Sequence, residues 1–97
     1  MKPLVFSQKA SSDLIAIADY IREDNPTRAQ SYVEELISVC AEIPAMPKRF
    51  PVRPRLGKGM RVALHGRYMI FFRELADEIR IERILHGARD LVRAFKE

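Results

Sequence analysis

Side chains able to shuttle protons, attack carbonyls or hold metals are scarce in this chain, which has two histidines, one cysteine and 17 Lys and Arg. His86 stands in the run Leu85-His86-Gly87-Ala88-Arg89-Asp90, where an apolar strand gives way to a helical pattern. A neutral imidazole there can act as general base on a ribose hydroxyl while arginines hold the phosphate. It can equally hydrogen-bond the backbone where strand turns into helix. His65 precedes Gly66, a pairing that reads as a two-residue hairpin loop with its imidazole facing water. Cys40 falls on the apolar stripe of a helix, where a thiol is buried and inert. Two histidines and one cysteine cannot complete a structural zinc site. Walker, dinucleotide-binding and Gly-x-Ser-x-Gly patterns are absent. Neither metal nor cofactor is expected.

The arginines are therefore the main chemical resource. On a strand, side chains two apart share a face, which groups Arg67 with Arg73 through Met69 and Phe71, and Arg80 with Glu82. Ion pairing inside the sheet, for example of Arg83 with a residue on the next strand, is one alternative use of these arginines. Lys48, Arg49, Arg53, Arg55, Lys58, Arg61, Arg67 and Arg73 all lie between Ile43 and Arg73, a stretch with no Asp or Glu. That segment carries eight of the 17 cations and none of the 13 acids, so the modest overall charge of +4 divides into +8 there and −4 elsewhere. Such a block attracts phosphates or acidic proteins. Arginines near aromatics can grip nucleic acid, or fork onto the carboxylates of a partner protein. A solvated basic loop that keeps a small protein soluble is the plainer alternative.

The elements that must position these residues follow from periodicity. Pro3 to Phe6 is extended and apolar, and Ser7 is suited to cap a helix from Gln8 to about Asp24. Its apolar stripe is Ala10, Leu14, Ile17, Ala18 and Ile21, with Ser12, Asp13, Asp19, Arg22 and Glu23 opposite. Asn25-Pro26 breaks this helix and starts a second that runs to about Ile43. Leu14, Ile17 and Ile21 should face Val33, Leu36 and Ile37 across an antiparallel hairpin. Pro44, Pro47, Pro51 and Pro54 then exclude regular structure from a long connection of the kind that more often serves function or moves. Arg61–Leu64, Arg67–Glu74 and Glu78–His86 form a three-stranded antiparallel meander, followed by a short helix over Ala88–Phe95 with Leu91, Val92 and Phe95 on its apolar side. The first strand should add to this sheet in parallel. The fold class is thus α+β: N-terminal strand, α-helical hairpin, three-stranded meander and short C-terminal helix, in a single domain over residues 1–97.

At 97 residues the core is small, and a permanent partner would help it. One cysteine excludes an internal disulfide and fits a reducing compartment. No apolar run is long enough to span a bilayer, and the N-terminus lacks the apolar centre of a signal peptide.

The run from Ile81 through His86-Gly87-Ala88-Arg89-Asp90 to Leu91, preceded by the strand Tyr68-Met69-Ile70-Phe71-Phe72-Arg73, resembles the C-terminal half of the ParE branch of the RelE/ParE superfamily. The first helix, with Ala10, Asp13, Leu14, Ile17, Tyr20 and Ile21 before Asn25-Pro26, resembles the same family's first helix and its break. The resemblance implies a cytoplasmic toxin of a bacterial type II toxin–antitoxin pair, neutralised in a hetero-oligomer by a ParD-like antitoxin that wraps it. It further implies DNA gyrase as the target, reached by binding with no catalytic residue. The RelE branch instead cuts ribosome-bound messenger RNA; in that alternative Arg61 and Arg73 would hold phosphate and His86 would carry the proton. No tyrosine follows Arg83 to complete such a site. Partner contacts are expected from Arg49, Arg53, Arg55, Arg61 and Arg73, with Arg89 and the terminal helix as a second patch. A non-toxic nucleic-acid-binding module is the remaining alternative, marked by steep loss of affinity with salt.

Overall fold

The computed structural model describes residues 1–96, in the order β1 (Leu4–Phe6), α1 (Gln8–Arg22), α2 (Pro26–Glu42), β2 (Arg61–His65), β3 (Tyr68–Glu74), β4 (Ile79–His86) and α3 (Leu91–Lys96). The sheet order is β1-β4-β3-β2. β2, β3 and β4 form the antiparallel meander, and β1 joins its β4 edge in parallel, with Leu4 opposite Ile79 and Phe6 opposite Ile81. This is the expected α+β fold, with the helical hairpin on one face of the sheet and α3 on the other.

Local chemistry explains the boundaries. The Ser7 hydroxyl accepts the Ala10 amide at 3.0 Å, capping α1, and donates to the Glu82 carbonyl at 2.8 Å, so one side chain joins helix start to sheet. Asn25 caps α2 by accepting the Arg28 amide at 3.0 Å, and Pro26 occupies the first helical position, where its missing N–H costs nothing. Asp90 takes the Arg93 amide at 3.2 Å. α3 therefore begins at Leu91, later than the expected Ala88.

Two cores sandwich the sheet. Leu36 and Cys40 from α2 and Ile43 just beyond it meet Ile70, Phe72, Ile79, Ile81 and Ile84 on the helical side, while Met60, Val62, Phe71, Leu85 and Ala94 fill the other. Phe71 and Phe72 are both fully buried, pointing to opposite faces, and each contributes roughly 1.5–3 kcal/mol of apolar burial. The partner strand β4 carries a β-bulge opposite them. Phe71 faces Arg83 and Phe72 faces Ile81, which leaves Glu82 as an extra residue on β4. The bulge shifts the strand's alternation, so Ile84 returns to the same side as Ile79 and Ile81.

Several expectations need correction. The hairpin loop is Gly66-Arg67, one residue later than His65-Gly66, because His65 still pairs with Tyr68 and Gly66 supplies the positive φ of 57°. Arg67 consequently leaves the strand and shares no face with Arg73. Ile37, expected in the hairpin seam, is 42% exposed, whereas Leu36 beside it is fully buried as expected. Val92 is 44% exposed, its expected place against the sheet taken by Ala94. Asp13, assigned to the polar side of the first helix, turns inward to Arg83: its carboxylate accepts Nε at 2.9 Å and Nη2 at 3.0 Å, plus the Ile84 amide at 2.9 Å. Arg83 Nη1 also donates to the Ala94 carbonyl at 3.1 Å, so a single guanidinium ties α1 and α3 to β4. Arg80 pairs with Glu78 at 2.9 Å, because the bulge re-aims Glu82 toward Arg73.

Candidate partner-binding surface

The connection between α2 and β2 is firmly anchored. Three single-turn 3-10 segments, Ile43–Ala45, Pro47–Arg49 and Pro54–Leu56, use its prolines at their starts. Arg61 Nη1 reaches back to the Phe50 carbonyl at 2.6 Å, the Arg53 amide bonds the Met60 carbonyl at 2.6 Å, and the Val62 amide bonds the Pro51 carbonyl at 3.1 Å. Phe50 packs edge-on to Phe72 with ring centroids 5.5 Å apart. Arg61 thus serves to hold the loop, with its guanidinium turned to backbone.

What the anchored loop displays is positive charge. Lys48, Arg49, Arg53, Arg55 and Lys58 are exposed, as is Arg67 in the β2–β3 turn, and among the described residues none has a carboxylate partner. Arg49 lies over the Phe50 ring, 4.8 Å from its centroid, which fixes its direction without neutralising it. The sequence treated the loop arginines and the terminal helix as two patches. They meet in one place: Arg53, Pro54, Arg55 and Leu56 form one wall, and Leu91 and Val92 the other, of an apolar groove of about 420 Å³.

Arg73 is differently placed. It lines a cleft of about 260 Å³ with Ser7, Lys9, Met60, Glu82 and Phe95. Its Nε lies 3.3 Å from Glu82 Oε2 but out of hydrogen-bonding alignment, and its guanidinium passes close to Gly57, where an added Cβ would stand 2.8 Å from Nη2. Lys9 is a cleft residue that sequence reasoning missed, since no local pattern links a helix's first turn to a strand some sixty positions later.

His86 lies apart from Arg61 and Arg73. It pairs with Tyr68 at the opposite end of β3 from Arg73, five positions or about 16 Å along the strand. Its ring is edge-on to Tyr68 on the helical side, whereas Arg73 lines the cleft on the α3 side. Nδ1 accepts the Ala88 amide at 3.1 Å, so the neutral ring carries its proton on Nε2. This is the backbone-bonding role expected of a residue at a strand-to-helix turn. Arg89 shares its small cavity, with Tyr20, Tyr68 and Ile17 as other walls, away from the loop arginines. Burial, reinforced by the neighbouring Tyr32 and Tyr20 phenols, pushes the Tyr68 hydroxyl above its ordinary pKa.

His65, with its ring turned inward, places Nε2 2.9 Å from Glu35 Oε1 and lies 5.4 Å from the Tyr32 ring. Hydrogen bonds from Arg28 and then from His65 hold the Glu35 carboxyl down at about 2. Cys40 is fully buried, and desolvation pushes its thiol up to about 12. Among the described residues no group of His, Cys, Asp and Glu could hold a metal, and no helix is long and apolar enough to cross a membrane.

A helical hairpin and a parallel N-terminal strand around a three-stranded meander, with a carboxylate-free basic loop between α2 and β2, define a small α+β protein. The family model for the ParE toxin of the type II toxin–antitoxin system parDE matches residues 4–91. The chain belongs to that family and is the toxin of such a pair. Ten chains among solved structures match it. One, from the chromosomal ParDE system of P. aeruginosa, is 26% identical, superposes with a TM-score of 0.78, and covers 89% of this chain and 96% of its own. No curated protein matches significantly.

Proposed function

We propose that this toxin acts in the cytoplasm by binding DNA gyrase and blocking its supercoiling cycle, and that a ParD-like antitoxin neutralises it by occupying the basic surface in a hetero-oligomer. One observation carries the reading: among the described residues the exposed loop cations lack carboxylate partners, while His86, the proton carrier of the ribonuclease alternative, lies on the other face from Arg73 and bonds backbone through Nδ1. An exposed, fixed array of cations speeds and orients association with an acidic protein. Direct contact falls to Arg49, Arg53, Arg55 and Arg89. Arg61 contributes by holding the loop, and Arg73 through the cleft beside Glu82.

The test is direct. Purified toxin, added to gyrase with relaxed plasmid and ATP, should stop supercoiling at near-stoichiometric amounts, and equimolar antitoxin should restore it. In parallel, translating ribosomes should retain intact message. Message cleavage that disappears with His86→Ala, with supercoiling unaffected, would replace this reading with the ribonuclease one. Nucleic-acid binding that falls steeply with salt, in cells that keep growing when the toxin is produced, would replace it with a simple binding module.

A further inference from the structure

The groove between the proline loop and α3 is apolar inside and cationic at its rim. Leu56, Pro54 and Leu91 line it, Val92 is 44% exposed along its wall, and Arg53 and Arg55 stand over it with no carboxylate partner among the described residues. Leaving an apolar side chain open on a surface and unpaired guanidiniums beside it costs the free protein solubility, which is offset when a matching segment covers both. We infer that this groove is the seat of one large apolar side chain of the antitoxin, carried on an extended segment with acidic residues to either side. The inference rests on the toxin–antitoxin pairing proposed above and deepens it by naming a place and a chemistry.

Size and charge select this occupant. A groove of about 420 Å³ walled by a single-turn loop segment and a six-residue helix admits side chains from one strand of chain, not the flat surface of a folded domain. The loop wall lies in the acid-free stretch from Ile43 to Arg73, and Asp90, the acid adjoining the α3 wall, is engaged as acceptor of the Arg93 amide. A nucleic acid could satisfy Arg53 and Arg55 but would leave the apolar floor uncovered, because no aromatic side chain lines it for a base to stack upon. An acidic, apolar segment satisfies both at once. It would also lock the loop against α3.

The experiment measures affinity for the full-length antitoxin encoded with this toxin, by calorimetry across a salt series. Val92→Asp should weaken binding by about tenfold or more, since a carboxylate would be buried among apolar atoms and acids. The double change Arg53→Ser/Arg55→Ser should flatten the dependence of affinity on salt while leaving the melting temperature in place, because both residues are exposed. Val92→Met, which keeps the wall apolar, should bind as the natural toxin does. Circular dichroism guards against misfolding of Val92→Asp; if that variant unfolds, the arginine double change and Val92→Ser decide. Unchanged antitoxin affinity in all of these overturns the inference, as does loss of gyrase inhibition with antitoxin affinity intact, which would give the groove to the target. Since antitoxin affinity is read without gyrase, failure of the gyrase reading alone leaves a distinct signature: normal groove dependence with no block of supercoiling.

Discussion

Replacing Asp13 by alanine should be among the most damaging single changes this fold can suffer. Asp13 and Arg83 are only 12% and 11% exposed, and the carboxylate accepts three hydrogen bonds, two from Arg83 and one from the Ile84 amide. Asp13→Ala strips Arg83 of its two bonds to the carboxylate and the Ile84 amide of its acceptor beside the helical core, a loss of roughly 3–5 kcal/mol for a broken buried pair. A small domain has about 5–15 kcal/mol in total. Unfolding entropy of about 2.1 cal/mol/K per residue over this chain makes each kcal/mol worth about 5 °C, so the melting temperature should fall by roughly 15–25 °C. Urea titration followed by circular dichroism measures the free energy, and a thermal scan the shift. The companion double variant Asp13→Leu/Arg83→Met should recover most of the loss, because apolar isosteres can replace a buried ion pair at little cost. A loss below about 1 kcal/mol in Asp13→Ala, or a double variant no more stable than the single, would refute the claim that this pair fastens α1 to β4.

Three further outcomes follow from local geometry. Gly66→Ala should cost about 1–3 kcal/mol in urea titration, because Gly66 has φ of 57° and an added Cβ would come within 2.6 Å of the Tyr32 hydroxyl, which donates to the His65 carbonyl. Glu35, whose carboxyl is held at about 2 in the fold, contributes stability that is fully present above the ordinary carboxylate range and fades as pH drops through about 2. Glu35→Gln should therefore unfold with a shallower acid limb below pH ~4.3 than the natural chain, as followed by denaturant midpoints at successive pH values. Cys40, with its buried thiol pushed up to about 12, should react with a thiol reagent at neutral pH only as fast as the chain opens, and rapidly in 6 M urea; fast native-state reaction would contradict its burial.

The elements were readable where period and punctuation agree. Ser7, the Asn25-Pro26 break and the helical spacing from Ala10 to Ile21 fixed the hairpin, and strand alternation fixed the meander and its parallel neighbour. Departures arose where tertiary packing overrides a local signal. The bulge at Glu82 has no glycine to announce it, yet it decides which acid meets Arg73 and which meets Arg80. Asp13 reads as a solvated helix residue because its partner lies 70 positions away. The basic loop was legible as charge. Its union with α3 into one groove was not, since Arg55 and Leu91 come together only once β2 to β4 have folded between them.

The position of β1 in the sheet sets when a newly made chain can acquire its fold. Leu4 pairs with Ile79 and Phe6 with Ile81, so the first strand has no partner until the fourth has been synthesised. At about 5–20 residues per second that wait lasts roughly 4–15 s. During it, the apolar faces of α1 and α2 lack the strand that completes their core, and non-local pairings of this kind form late. A stop codon anywhere before residue 79 removes β4, and with it the central partner of both β1 and β3. Cooperative unfolding, read by circular dichroism, should therefore be lost in any fragment that ends before residue 79.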